Sequence, residues 1–159
     1  MPQSVYVKEI FKSIQGEAEY VGYEQIFVRF IGCNIKCNYC DTDLEKNVHS
    51  ISLTGGEPLI NIKFLEEFLP EFKKIRNTKI FLETNGTLQK ELHCIAEYVD
   101  IVSMDLKLAS YLENRENLIQ KHSIFLKECM ENNIATYVKI VLDNNFSLEE
   151  FNNYLKVVE

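Results

Sequence analysis

Three cysteines lie within eight residues of one another, in the segment Cys33-Asn-Ile-Lys-Cys37-Asn-Tyr-Cys40. Thiolates this close can wrap one corner of a metal cluster, and they suit soft metals and iron–sulfur clusters. Three ligands leave one iron of a four-iron cluster open, and an open site is typical of a catalytic rather than a structural metal centre. The segment therefore predicts a [4Fe–4S] cluster on Cys33, Cys37 and Cys40.

A zinc site is the alternative interpretation, with His49 or Asp41 as the fourth ligand. A CX2C pair alone would favour zinc, but the CX3CX2C spacing directly after a strand is a different signal. The other two cysteines, Cys94 and Cys129, stand alone in apolar helical stretches and are predicted to be small buried side chains.

The elements around these cysteines alternate between strand and helix. Apolar and β-branched patterning predicts strands at 6–11, 25–31, 48–54, 78–82, 99–104 and 135–142, and helices at 61–75, 89–98, 117–132 and from Ser147 onward. This alternation predicts a parallel sheet with right-handed crossovers. Polar residues gather after the strands, at 33–41, 55–57, 83–85 and 105–107. In parallel α/β sheets ligands bind at that edge.

The composition narrows the class of protein. The chain has 159 residues and a net charge of −7, with no basic cluster and no apolar run long enough to cross a bilayer. The first residues lack the pattern of a secretory signal. We expect a single domain over 1–159 in the cytoplasm, with neither nucleic acid nor a membrane as partner.

The CX3CX2C segment resembles the radical S-adenosylmethionine (SAM) superfamily, in which the open iron binds the amino and carboxylate groups of the methionine moiety. The resemblance implies that Tyr39 lies near the adenine and that the turn Gly55-Gly56-Glu57 holds the methionine amino group. Hydroxyl, carboxylate and ammonium groups after the later strands can bind the rest of the cofactor. These predicted contacts are Glu83, Thr84, Ser103 and Lys107.

A closer resemblance covers residues 7 to 142. The strings SIQGE (13–17), CDT (40–42), TGGEPL (54–59), ETNGT (83–87) and MDLKLAS (104–110), with the arginine four residues before Cys33, resemble the 7-carboxy-7-deazaguanine synthases. The resemblance implies a radical SAM lyase of queuosine and related deazapurine biosynthesis. Its substrate would be 6-carboxy-5,6,7,8-tetrahydropterin, whose ring is contracted with loss of ammonia. It further implies regenerated SAM, Mg²⁺, a homodimer, and flavodoxin or ferredoxin as electron donor.

Residues before and after the cysteines fit this substrate. Gln15, Gly16 and Glu17 can meet the donor–acceptor edge of a pterin. Arg29 can grip a carboxylate with two hydrogen bonds. A salt bridge on the strand surface is the alternative, and the sequence context favours binding. The resemblance makes Thr42 the ligand of Mg²⁺, with Asp41 as a second ligand or an orienting group.

One departure from the family concerns the first crossover. Only residues 43–47 join Thr42 to the next predicted strand, whereas a parallel connection normally needs ~10–12 residues or more. We therefore expect an α/β fold that is a partial, open parallel β/α barrel of the radical SAM type with a shortened first crossover.

Lys139, inside an apolar strand, faces either the active site or an outer edge.

Two other functions remain open at this point. A glycyl-radical-enzyme activase shares CX3CX2C but acts on a protein backbone and has no need of SIQGE. A non-catalytic scaffold could hold zinc or a cluster on the same cysteines.

Overall fold

Six β-strands form one sheet, and their order across the sheet is their order in the sequence. The computed structural model describes residues 7–30, 49–75, 78–144 and 146–158. The strands are β1 (Val7–Ile14), β2 (Glu24–Phe30), β3 (Ser50–Gly55), β4 (Lys79–Thr84), β5 (Ile101–Leu106) and β6 (Ala135–Ile140). The α-helices are α1 (Ile62–Ile75), α2 (Gln89–Ile95), α3 (Ile119–Glu131) and α4 (Leu148–Leu155).

The sheet is open and mostly parallel. Strands β2 to β6 run parallel to their neighbours, and only β1 is antiparallel to β2. A parallel sheet with strands in sequence order needs crossovers that all turn the same way, which places its helices on one face. The expected α/β fold with an open parallel sheet is confirmed.

The short link after the cysteines does not prevent parallel pairing of β2 with β3. The two strands are in register from Gln25 opposite Ser50 to Phe30 opposite Gly55. The whole crossover runs from residue 31 to residue 49, and its residues 31–48 lie outside the described part of the chain. Counted from the end of β2, this connection exceeds the usual minimum for a parallel crossover.

The strands alternate between an apolar helix-covered face and a second face of mixed character. On the helix side the sheet contributes Val28, Phe30, Ile51, Leu53, Ile80, Leu82, Val102, Met104 and Leu106 to the core cluster. Helix α1 supplies Leu65 and Leu69, which are both fully buried. Side chains of a strand point alternately to the two faces. The intervening residues therefore share the opposite face, which we call the concave face.

The last helix begins as its sequence predicts. The Ser147 hydroxyl accepts a hydrogen bond from the Glu150 amide at 3.2 Å, which makes Ser147 the N-cap of α4. Glu149 and Glu150 occupy the first turn, where the partial positive charge of the helix end favours acids. No helix within the described ranges is long and apolar enough to cross a membrane.

Gly55 ends β3 where the backbone turns close against β2. Its φ is +109°, and a Cβ atom there would lie 2.8 Å from the Phe30 amide nitrogen, the Phe30 carbonyl oxygen and Arg29 Cγ. A glycine is required because neither the backbone conformation nor the Phe30 backbone leaves room for a side chain.

Gly55→Ala should therefore lower the thermal unfolding midpoint. The left-handed backbone alone costs a non-glycine residue about 1–2 kcal/mol, and the clash with Phe30 adds to that. Gly16→Ala is the matched control, because no atom lies within 4 Å of a Cβ at Gly16. Equal unfolding midpoints for the two variants, measured by circular dichroism, would contradict this packing argument.

Candidate active site

Several predicted site residues lie outside the described residues. They are Cys33, Cys37, Tyr39, Cys40, Asp41 and Thr42. Within the described ranges, no group of three or more His, Cys, Asp or Glu side chains is arranged to hold a metal ion. Cys129 is buried, as predicted, whereas Cys94 is exposed. The prediction for Cys94 is wrong because its side chain lies on the solvent side of α2, where the thiol bonds the Lys90 carbonyl oxygen.

Among the remaining predicted residues, Arg29, Glu83 and Ser103 lie on the concave face, whose side chains form successive rows. Strand register places Phe27, Ser52, Phe81 and Ile101 in one row. The next row toward the carboxyl ends of the strands holds Arg29, Thr54, Glu83, Ser103 and Tyr137, and beyond it lie Asp105 and Lys139. The face thus changes from apolar to polar toward the edge where ligands bind in parallel sheets.

Aromatic rings close the amino-terminal end of the concave face. The Tyr20 ring contacts Phe81 edge-to-face at 6.0 Å between centroids. It also lies 5.2 Å from the His49 ring, which in turn packs on Tyr23 at 4.7 Å. The 15–23 loop therefore closes the concave face below the polar rows. We call these packed rings, Tyr20, Tyr23, His49 and Phe81, the aromatic floor. His49, the candidate zinc ligand, belongs to this floor at the opposite end from the polar edge.

Gln15 starts a chain of hydrogen bonds beneath the loop. The Gln15 side-chain amide donates to Gln25 Oε1 at 3.1 Å, and the Gln25 amide donates to Ser50 Oγ at 2.6 Å. Gln15 Oε1 also accepts from the Glu17 amide at 3.1 Å. Gln15 is only 3% exposed, so its carboxamide chiefly holds the loop against the sheet. Its predicted contact with substrate stays a prediction.

Arg29 lies on the concave face against β1. Its Nη1 donates to Glu9 Oε1 at 2.8 Å, and its guanidinium lies 5.2 Å from the centre of the Phe11 ring. The Arg29 Nε atom is buried without a hydrogen-bond partner in the described part of the chain. The salt bridge that the sequence left open is thus present, and one buried donor remains for another acceptor.

Further buried polar atoms on the concave face also lack partners within the described ranges. They are Ser103 Oγ, Asp105 Oδ1 and the Tyr137 hydroxyl. Lys107 pairs with the other Asp105 oxygen at 2.5 Å. Buried polar atoms in folded proteins are almost always hydrogen-bonded. Hydroxyl and carboxylate atoms without partners in the described ranges, beside the cationic Lys107, fit a ligand that has hydroxyls and both signs of charge, as SAM does.

The chain is similar to known 7-carboxy-7-deazaguanine synthases. It is 33% identical to the one from Methanothermobacter thermautotrophicus over 86% of this chain and 68% of that protein. It is also 33% identical to the one from Archaeoglobus fulgidus, over 91% of this chain and 75% of that protein. The chain belongs to the 7-carboxy-7-deazaguanine synthase family. The resemblance inferred from the sequence motifs is therefore confirmed.

Two further comparisons returned a match. A family model described as a 4Fe-4S single cluster domain matches residues 41–124. It begins directly after Cys40, so it supports the cluster without testing its three proposed ligands. The crystal structure of QueE from Escherichia coli aligns with 85% of this chain and 93% of its own, at a TM-score of 0.46 and 16% identity.

The alignment with the Methanothermobacter synthase also bears on chain length. It spans 172 positions, more than the 159 residues of this chain. That synthase therefore has internal residues for which this chain has no counterpart.

In this member of the synthase family, Glu57 is used inside the protein. It is fully buried. One oxygen accepts from the Leu59 amide at 3.1 Å, the other from the Asn85 amide at 2.7 Å, and the Thr84 hydroxyl lies within 3.0 Å of both. Burial raises the pKa of Glu57 to about 7, against the lowering effect of these hydrogen bonds.

The side chains of Glu57 and Thr84 therefore contact each other rather than the concave face. Thr84 follows Glu83 in β4, so the alternation of the strand turns its side chain to the other face. The predicted cofactor contacts of Gly55, Gly56, Glu57 and Thr84 stay predictions. For Glu57 and Thr84 such contacts would have to come from the backbone, which the buried carboxylate holds in place.

His122 on α3 is a residue that sequence reasoning missed. Its Nε2 donates to the Asn85 carbonyl oxygen at 3.0 Å, and its ring lies 5.9 Å from that of Tyr154. It is fully buried, and burial lowers the pKa of His122 to about 4. Its position on the apolar side of α3 predicts burial, but the sequence has no signal for its partner. Through this hydrogen bond, His122 holds the ETNG turn (83–86) in place from the helix side of the sheet.

His122 should make stability depend on acid pH. The folded chain keeps His122 neutral down to about pH 4, while the unfolded chain protonates it near its ordinary pKa of about 6.5. The free energy of unfolding should therefore fall as the pH is lowered from about 6.5 to about 4, by at most about 3 kcal/mol from this group. His122→Gln, whose amide can still donate to Asn85, should flatten this dependence.

Urea unfolding at a series of pH values measures the effect, and comparison at equal iron content cancels the contribution of the cluster. Tyr154→Phe is the control, because it removes the hydroxyl that accepts from the Leu118 amide at 3.3 Å and leaves the imidazole. It should lower stability without changing the slope. An unchanged slope in His122→Gln would contradict the assignment.

Proposed function

We propose that this chain is a 7-carboxy-7-deazaguanine synthase, a radical SAM lyase that contracts 6-carboxy-5,6,7,8-tetrahydropterin to 7-carboxy-7-deazaguanine with loss of ammonia. The observation that carries the proposal is membership of the family, with 33% identity over 91% of the chain to one synthase. The row of open polar atoms on the concave face supports a small polar substrate. The pathway served would be that of queuosine or a related deazapurine.

A [4Fe–4S] cluster on Cys33, Cys37 and Cys40 with SAM would supply the radical that takes a hydrogen atom from C6 of the pterin. Ser103 and Lys107 are the cofactor contacts that the geometry favours, because both lie on β5 or at its carboxyl end with polar atoms toward the concave side. The aromatic floor of Tyr20 and Phe81 keeps water away from the amino-terminal end of the face.

For the substrate we propose contacts with Gly16, Glu17 and Arg29. Gly16 has open space around its Cα, so a planar ring can approach the backbone there. Glu17 is half-exposed and can accept from pterin N–H groups. Arg29 can offer its buried Nε to a carboxylate.

The remaining parts of the proposal rest on the resemblance and on the length and composition of the chain. They are Mg²⁺ bound by Thr42, electron supply by a flavodoxin or ferredoxin, a homodimer, a cytoplasmic location and a single radical SAM domain over 1–159.

An anaerobic assay with 6-carboxy-5,6,7,8-tetrahydropterin, SAM and a chemical reductant tests the function. We expect 7-carboxy-7-deazaguanine and one ammonia per turnover. Accumulation of 5′-deoxyadenosine without a deazaguanine product would exclude the synthase and favour the glycyl-radical-enzyme activase.

The cluster assignment predicts that Cys40→Ala removes both product formation and the low-temperature electron paramagnetic resonance signal of the reduced cluster. The control is Cys94→Ser, since Cys94 is an exposed thiol on α2 and its variant should keep iron, signal and activity. Stoichiometric zinc in place of iron in the wild-type protein would instead support the scaffold.

The proposed Mg²⁺ site predicts that Thr42→Ala needs a higher Mg²⁺ concentration for half-maximal product formation. Thr42→Ser should behave like the wild type, because a hydroxyl oxygen is retained for the hard cation. Product formation that is independent of Mg²⁺ in all three proteins would remove Mg²⁺ from the proposal.

A further inference from the structure

Lys139 links the two ends of the sheet across the concave face. It lies on β6, one edge strand, and its Nζ contacts Glu17 Oε2 at 2.5 Å. Glu17 follows β1, the strand at the opposite edge. The ion pair therefore connects the loop that follows one edge strand with the other edge strand. The sequence left open whether Lys139 faces the active site or an outer edge, and this contact places its side chain on the concave face.

The same ammonium group lies near a second carboxylate. Lys139 Nζ is 4.0 Å from Glu83 Oε2, and the other Glu83 oxygen accepts from the Ser52 hydroxyl at 3.0 Å. The Glu83 side chain is 19% exposed and that of Lys139 is 29% exposed. Ion pairs that are partly withdrawn from water are screened much less than pairs on the surface. Lys139 therefore acts on both carboxylates more strongly than a surface lysine would.

The charges around this cluster favour protonated Lys139. Burial lowers the pKa of Lys139, but the hydrogen bond that Lys139 donates to Glu17 and the charges of Glu83, Glu17 and Asp105 outweigh burial and raise it overall. Burial raises the pKa of Glu83, and Lys139 opposes that rise, as do hydrogen bonds from Ser52 and Gln15. Loss of Lys139 would leave Glu83 and Glu17 facing each other without a cation between them.

We propose that Lys139 is a positioning residue that fixes Glu17 and Glu83 on the concave face as paired hydrogen-bond acceptors for the N–H groups of the substrate ring. This inference rests on the proposed synthase function and names a residue that acts through two others. One oxygen of Glu17 has no hydrogen-bond partner in the described part of the chain, and the side chain is 48% exposed. Lys139 holds the other oxygen, so the open oxygen keeps a constant direction.

The geometry favours this role over direct contact between Lys139 and a substrate carboxylate. The ammonium is already within reach of two carboxylates, whereas the buried Arg29 Nε lacks a partner within the described ranges. A substrate with one carboxylate would therefore meet the guanidinium, and its N–H groups would meet Glu17 and Glu83. Loss of charge at Lys139 should then weaken recognition of the ring rather than of the carboxylate.

Equilibrium binding of 6-carboxy-5,6,7,8-tetrahydropterin to the anaerobic iron-loaded protein, without SAM and thus without turnover, tests the proposal. Lys139→Met keeps the length of the side chain and removes the charge, and we expect its dissociation constant to rise about tenfold or more. Lys139→Arg should restore most of the affinity. Lys74→Met is the control, because it breaks an exposed pair with Glu71 on α1 and should bind like the wild type.

A double-mutant cycle separates positioning from direct contact. If Lys139 acts through Glu17 and Glu83, the loss caused by Lys139→Met should largely disappear in a background that carries both Glu17→Gln and Glu83→Gln. Additive losses would mean that Lys139 contacts the substrate itself, which would overturn the proposal. If Lys139→Met does not fold, Lys139→Gln replaces it in the cycle.

The pH dependence gives a readout that a merely structural role would not move. The groups that face Glu83 are Lys139, Glu17, Asp105 and Tyr137. Without Lys139, Glu83 should take up its proton at a higher pH, so affinity should fall at a higher pH in Lys139→Met and not in Lys139→Arg. Wild-type affinity or an unmoved pH profile in Lys139→Met would overturn the inference alone. A wild-type protein that neither binds the pterin nor forms the product would overturn the proposed function as well.

Discussion

A parallel sheet whose helices all lie on one side has a second face that its own helices cannot cover. That constraint governs this fold, because the core cluster takes helix-side residues of every strand from β2 to β5, with Val138 and Ile140 of β6 packed against it. The concave face is instead filled from within the chain, with Phe27 and Phe81 low in the sheet and the 15–23 loop laid over them. At the carboxyl edge of the sheet the loop contributes Glu17, which pairs with Lys139. The polar atoms of Ser103, Asp105 and Tyr137 that have no partner among the described residues lie toward that edge, which is the place where a parallel sheet offers a ligand both open space and strand ends.

A single buried carboxylate joins the two turns that border this space. Glu57 follows β3, and it accepts hydrogen bonds from Thr84 and Asn85, which end β4. His122 then holds the Asn85 carbonyl oxygen from the helix side. A buried charge is costly unless it is fully hydrogen-bonded, and burial accordingly shifts the pKa of Glu57 to about 7. The hydrogen bonds that offset this cost also fix the backbone of both turns. The turns that border the site are therefore held in place by side chains that do not face it.

The sequence predicts the elements well because each strand has a clear apolar pattern and each polar cluster follows a strand. The sequence does not predict to which face of the sheet each side chain points. Glu83 and Thr84 are neighbours in the same motif, and the sequence does not distinguish them. The alternation of the strand nevertheless points Glu83 to the concave face and Thr84 to Glu57. Gln25, Phe27 and Arg29 alternate along β2, so Gln25 could have been assigned to the same face as Arg29. Ser50 and Ser52 lie opposite Gln25 and Phe27 on β3 and share that face. Lys139 and Glu17 could not have been paired from the sequence, because their contact depends on how far the whole sheet curves. The partner of His122 likewise depends on where α3 packs.

The crossover between β2 and β3 shows how the cysteine segment is tied to this architecture. Phe30 ends β2 opposite Gly55, and Ser50 begins β3 opposite Gln25, so the chain must return along the full length of a strand. A strand of six residues is about 20 Å long at about 3.3 Å per residue. The connection that covers this distance includes the cysteine loop itself as well as the residues after Thr42, which is why a link that looks too short from Thr42 onward still allows parallel pairing. The chain therefore leaves β2 at Phe30, toward the edge where Glu83, Asp105 and Lys139 lie. There Gly55 lies so close to the Phe30 backbone that no side chain would fit.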